Sequence, residues 1–129
     1  MRVREWMTVD VTTVHPGTTA RGAAQLMAST GVRHLVVVDH DRVAGMLSNR
    51  DVLPSVTTDA DHRSVQDVMS SGPHTITADE PLEAAVRLLL SRRISALPVV
   101  DEDRVLQGII TTTDCLLALQ PEPAPPGTR

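Results

Sequence analysis

Two hydrophobic periods alternate along this chain, and they do so twice. Ala20, Ala23, Ala24 and Met27 recur at i, i+3, i+4 and i+7, which makes one face of a helix apolar. Leu35-Val36-Val37-Val38 is a short continuous apolar run, the mark of a strand buried on both faces. Leu82, Ala85, Val86 and Leu89 then repeat the helical spacing, and Leu97-Pro98-Val99-Val100 repeats the run. Each matched pair lies 62 positions apart, as do Val3-Arg4-Glu5-Trp6-Met7 and Val65-Gln66-Asp67-Val68-Met69. The spacing becomes 63 between Gly45 and Gly108, which predicts one extra residue near Gln107 in a hairpin. Ser48 through Asp51 then answers Thr111 through Asp114. Landmarks in one order at nearly one spacing make an internal duplication.

Each repeat reads as a strand, a helix, two strands and a helix, an α/β pattern of the form βαββα. In the first, Val11 to Val14 is extended, Thr18 caps a helix running to about Thr30, and Gly31 stops it. The turn Asp39-His40-Asp41-Arg42 leads into a strand from Val43 to Leu47, and a helix begins after Ser48. In the second, a strand at Ile76 precedes a helix capped by Asp79 with Pro81 in its first turn. Strands follow around Leu97 and from Val105 to Ile110, and a last helix runs to about Leu119. Pro98 has no amide donor and predicts an edge or strand-start position. The organisation expected is a first repeat over 1–58, a linker over 59–64, a second repeat over 65–120 and a disordered Pro-rich tail over 121–129.

Composition narrows the function classes. Of 129 residues 41% are hydrophobic, yet there is one Trp and no Phe or Tyr, so Val, Leu, Ala, Ile and Met must fill the core. All twelve basic residues are Arg against sixteen acidic ones, for a net charge of −4. That balance argues against nucleic acid as a partner, since phosphate-driven affinity needs a cationic face and base stacking needs exposed aromatics. The single Cys115 excludes an internal disulfide and fits a reducing compartment. No apolar run approaches 18 residues and the opening residues lead into no signal segment, so a cytoplasmic protein with no membrane partner is expected. His15, His34, His40, His62 and His74 show no paired spacing of a zinc site, so no metal is expected. Cys115 reads as a core side chain, and Trp6 as packing or a dimer contact.

The chemistry-bearing feature is the strand-to-helix junction. Ser48 with Asp51, and Thr111 with Asp114, set a hydroxyl at the helix start and a carboxylate three residues on, beside amides carrying partial positive charge. Two readings fit this spacing. The carboxylate accepts a ribose cis-diol while the hydroxyl and free amides hold a phosphate, or the four residues form two capping boxes.

The apolar strands ending in Asp39 and Asp101, with the junctions Gly45-Met46-Leu47-Ser48-Asn49-Arg50-Asp51 and Gly108-Ile109-Ile110-Thr111-Thr112-Thr113-Asp114, resemble a tandem pair of CBS domains, the Bateman module. The resemblance covers about residues 1 to 120. It implies two βαββα repeats packed sheet against sheet about a pseudo-twofold axis, with two clefts for adenosine-containing ligands such as AMP, ADP, ATP, S-adenosylmethionine or NADH, and no required cofactor. Carried over position by position, it sets Thr12, Arg33 and His34 facing Asp114, and His74, Ser95 and Ala96 facing Asp51. It also makes Arg33-His34 a cationic pair of the kind kinase γ-subunits of this family use for phosphate, in reverse order; the alternative is a solvated surface pair. Ser95-Ala96 is small and uncharged, so the two clefts are expected to differ. Arg92 and Arg93 read as cations at a helix end, and Arg50 as a solvated helix residue.

The function expected is that of a stand-alone sensor whose ligand shifts a population read by an effector protein or by self-assembly. Leu53, Val56, Leu116, Leu117 and Leu119 exceed what one internal face needs, so a twofold homodimer is expected. The alternatives are a structural dimerisation module with degenerate clefts and a hydrolase using Asp51, Asp114 and His34. The hydrolase is disfavoured because no nucleophile, base and orienting group form a recognisable set.

Overall fold

The computed structural model describes residues 1–52 and 63–121. In chain order its elements are α1 (Val3–Trp6), β1 (Thr13–Val14), α2 (Ala20–Thr30), β2 (His34–Asp39), β3 (Arg42–Ser48) and α3, described over 49–52. After the gap come α4 (Val65–Val68), β4 (Ser70–Ser71), α5 (Leu82–Arg92), β5 (Ala96–Val100), β6 (Leu106–Thr111) and α6 (Thr112–Ala118). Leu53, Val56, His62, most of the expected linker and nearly all of the expected tail lie outside the described residues.

The chain forms two compact units that cut across the sequence repeats: Thr12–Pro73 is one, and Met1–Val11 joins the chain from His74 onward in the other. The first holds a four-stranded sheet in the order β1-β2-β3-β4, with β1 parallel to β2 and the other pairs antiparallel. The second repeats that order in reduced form. Ile76 makes a parallel bridge to Val99 of β5, β5 pairs antiparallel with β6, and Thr8 bridges Ile109 of β6. The opening segment of each sequence repeat therefore folds onto the body of the other. Val3 N donates to Glu80 O and Arg4 N to Ala78 O, while Val65 N donates to Thr18 O and Gln66 N to Pro16 O.

Gly108 and Gly45 permit this exchange. A Cβ on Gly108 would lie 2.9 Å from the Thr8 carbonyl, and one on Gly45 would lie 2.9 Å from the Ser70 carbonyl. Only a residue without Cβ lets the crossing segment hydrogen-bond at that distance. Each unit has its own core. Leu35, Val37, Leu47, Met27 and Val65 pack together in one. Trp6, Leu97, Val99, Ile110 and Cys115 pack in the other, which gives Trp6 a packing role and makes Cys115 a buried side chain.

Several local expectations shift. Thr19, not Thr18, caps α2: its hydroxyl accepts from Gly22 N at 3.0 Å, whereas Thr18 Oγ1 accepts from His15 N in the preceding turn. Asp79 does not cap α5. Pro81 itself is the N-cap residue, and the Asp79 carboxylate pairs with Arg4 of the exchanged α1. The extra residue of the second repeat lies in the turn rather than near Gln107. His40 and Asp41, both at positive φ, form a two-residue turn between Asp39 and Arg42, while Asp101 N reaches Val105 O across three residues.

Pro98 sits mid-strand in β5 and is fully buried, so it is not at a strand start, but β5 is an edge strand of a two-stranded sheet, as expected. At its counterpart in the first repeat, Val36 N donates to Thr12 O at 3.4 Å. Pro98 has no N–H to give, so the matching bond to His74 cannot form. The parallel ladder of the second unit is correspondingly reduced to the single Ile76–Val99 bridge.

Candidate functional site

In the unit built around β5 and β6, the site begins where β6 turns into α6. Thr111 is the N-cap, in extended geometry, and its Oγ1 accepts from Asp114 N at 3.2 Å. Asp114 Oδ2 in turn accepts from Thr111 N at 2.9 Å and from Thr111 Oγ1 at 3.0 Å. Asp114 is 6% exposed, the one buried charged side chain among the described residues. Burial of a carboxylate is tolerated because amide and hydroxyl donors satisfy it at a helix N-terminus. Both bonds that the carboxylate accepts fall on Oδ2, which leaves Oδ1 outside the cap.

The β5–β6 register sets Ala96 opposite Thr111, and the Ser95 carbonyl accepts from Thr112 N at 3.0 Å and from Thr112 Oγ1 at 3.4 Å. Ser95, Ala96, Thr111 and Asp114 thus come together, so within this unit Ser95 and Ala96 neighbour Asp114 and not Asp51, which the resemblance set them to face. His74 is exposed, two residues ahead of the Ile76 bridge.

The other unit has the same arrangement with different charge. Asp51 Oδ2 accepts from Ser48 N at 2.8 Å and from Ser48 Oγ at 3.1 Å. His34 pairs with Ser48 in the β2–β3 register, the Arg33 carbonyl accepts from Asn49 N at 3.2 Å, and Thr12 is tied to β2 through Val36. Burial lowers the pKa of His34 below its ordinary 6.5, the Arg33 guanidinium lowers it further, and the Asp51 carboxylate opposes both. His34 is therefore neutral at pH 7. Arg33 alone carries the positive charge of a pair that reads as doubly cationic in sequence.

The capping box expected as one of two readings is complete at Thr111 and Asp114, and at Ser48 and Asp51 the carboxylate accepts from the N-cap amide and hydroxyl as that reading requires. Sequence reasoning missed Asn49 and Thr112. Their backbone amides fasten the helix start to Arg33 and Ser95, a contact that has no residue-type signature.

The CBS domain family model matches residues 3–57 and 65–121. The chain is 32% identical over 113 residues to homoserine O-acetyltransferase of Methanohalobium evestigatum, covering 87% of this chain and 23% of that enzyme. It is 34% identical over 108 residues to inosine-5′-monophosphate dehydrogenase of Methanocaldococcus jannaschii, covering 83% of this chain and 21% of that one. The chain thus spans less than a quarter of the length of these enzymes. Among solved structures, CBSX2 in complex with AMP superposes with a TM-score of 0.82 at 31% identity, covering 91% of this chain and 94% of that one. The CBS domain pair of protein MJ0100 superposes with a TM-score of 0.84 at 23% identity, covering 93% and 100%, and shares the fold. With both repeats matched over nearly their whole length, the chain belongs to the CBS domain family and carries two copies of that domain.

Proposed function

We propose that this chain is a regulatory module that binds an adenosine-containing ligand, AMP, ADP, ATP or S-adenosylmethionine, and not a catalyst. The observation that carries the reading is Asp114: a buried carboxylate at a helix start, held by one oxygen, with the other left to accept a ribose hydroxyl. The likeness to CBSX2, whose structure was determined with AMP, supports it. Thr12, Arg33, His34, Ser48 and Asp51 are the ligand-binding residues proposed in one unit, and His74, Ser95, Ala96, Thr111 and Asp114 those in the other. Arg33 makes the first set the better host for phosphate, while Ser95 and Ala96 suit an uncharged or zwitterionic substituent. The ligand acts by favouring one of two states of the chain, which an effector protein in the cytoplasm reads. A twofold homodimer is part of the proposal, since Leu90, Leu116 and Leu119 are 74%, 61% and 75% exposed.

A second reading, a structural dimerisation module, draws on the capping boxes, which account for both carboxylates without any ligand. Calorimetric titration with AMP, ATP and S-adenosylmethionine, with GMP as control and light scattering in parallel, separates the two. Saturable binding of an adenosine compound without turnover supports the regulatory module. A dimer that binds none of them supports the structural one.

A further inference from the structure

Away from the helix starts, α5 and the segment 75–77 enclose a groove of about 420 Å³, at the lower end of the range for small-molecule sites. Ala84, Arg87 and Leu88 face it from α5, Ile76 from the strand segment, and Glu80 from the approach to the helix. Among the described residues neither Arg87 nor Glu80 makes an ion pair, although both line this one groove. The duplication shows that the fold does not require these charges. The matching positions of the first repeat are Thr18 for Glu80 and Gln25 for Arg87, while Ile76 and Leu88 match Val14 and Leu26.

We propose that this groove binds a free α-amino acid with an apolar side chain. An anion alone would meet Glu80, and a cation alone would meet Arg87. A zwitterion satisfies both, its carboxylate accepting two parallel bonds from the Arg87 guanidinium and its ammonium donating to Glu80. Ile76, Ala84 and Leu88 supply the apolar surface for the side chain. The hydroxyls of Thr75 and Thr77 on the same wall take the remaining ammonium hydrogens. None of these residues belongs to the nucleotide clusters, so the inference stands apart from the proposed function.

The test is a ¹H–¹⁵N NMR titration of the intact chain with L-leucine, L-methionine and L-valine, alongside leucinamide, which lacks the carboxylate, and 4-methyl-2-oxopentanoate, which lacks the ammonium. Saturable shifts of the 75–77 and 84–91 amides with at least one amino acid are expected. Each analogue, and each of the variants Arg87→Met and Glu80→Gln, should weaken that binding by about tenfold or more. Both substitutions are at exposed positions and should leave nucleotide binding unchanged. The proposal is overturned if none of the three amino acids gives a saturable shift up to about 10 mM. It is equally overturned if the analogues match the amino acid, or if the shifts survive both substitutions.

Discussion

Replacing Asp114 by Asn separates its two roles, because the structure sets a different cost on each. Asn can place its carbonyl oxygen where Oδ2 stands and still accept from Thr111 N and Oγ1, but without charge. A bond to a charged group contributes about 1.5–3 kcal/mol and a neutral one about 0.5–1.5. The favourable term of a carboxylate at the helix N-terminus, about 0.3–1 kcal/mol, goes as well. The ligand-free protein should therefore lose about 1–2 kcal/mol, and its melting temperature should drop by about 4–8 °C. The two bonds share one acceptor, so their losses do not simply add. Ribonucleotide affinity should fall by about 1.5–3 kcal/mol, roughly 10- to 150-fold, because Asn offers an amide where Oδ1 accepted a hydroxyl hydrogen. Thermal melts of the free protein and calorimetry with AMP and 2′-deoxy-AMP read the two effects separately. Wild type should prefer the ribose form, and the variant should discriminate less. If the melting temperature falls as expected while AMP affinity changes by less than about twofold, Asp114 is a helix cap only and the ribose argument fails.

Four further outcomes follow from the same geometry. Gly108→Ala forces a Cβ against the Thr8 carbonyl and should cost about 1–3 kcal/mol, lowering the melting temperature by about 4–12 °C; an unchanged melt would refute the exchanged packing of α1. Arg93 holds the left-handed conformation, φ 54°, that Gly31 holds in the first repeat, so Arg93→Gly should stabilise by about 0.5–1 kcal/mol in urea unfolding, after the greater freedom of glycine in the unfolded chain is subtracted. His34 titrates below 6.5 when folded, so as pH falls through 6.5 the unfolded chain takes up the proton first. Stability should decline from that point down to the folded pKa and level off beneath it, and His34→Gln should remove this part of the slope in urea midpoints measured across the range. Arg33→Ala should weaken ATP more than adenosine, by an amount that shrinks with added salt; equal losses would show that Arg33 does not touch phosphate.

The spacing of apolar residues located every long helix and both buried strand pairs, since a 3.6 or unbroken period over many residues leaves little ambiguity. It failed where two answers differ only in tertiary contacts. The likeness of Val3–Met7 to Val65–Met69 marks a repeated segment but neither its helical form nor the copy it folds on, because one turn of helix is too short for a period and Gly45 and Gly108 offer both segments the same crossing. Thr18 and Thr19 are adjacent hydroxyls, and only the backbone turn held by Thr18 N and His15 O decides which one caps. Asp79 has the composition of a cap, but the exchanged helix brings Arg4 to it. Pro98 reads as an edge or strand-start residue because a proline removes a ladder bond; it does lie on an edge strand, but in its middle, with only the Ile76 bridge on that side. At the candidate site, the Ser48–Asp51 and Thr111–Asp114 junctions were legible because a capping box is local. The protonation state of His34 was not, since it depends on burial and on Arg33 and Asp51 acting on it in opposite directions.

The central claim is selective binding of adenosine-containing ligands, and native mass spectrometry tests it most directly. Intact chain is mixed with equal concentrations of AMP, ATP, S-adenosylmethionine, GMP and CMP and sprayed from a volatile buffer, with the Asp51→Asn/Asp114→Asn double variant run beside it. Wild type should retain mass increments of one or more adenosine compounds and none of GMP or CMP, and the double variant should lose them. Wild type carrying no adenosine increment, or carrying all five ligands alike, would contradict the account.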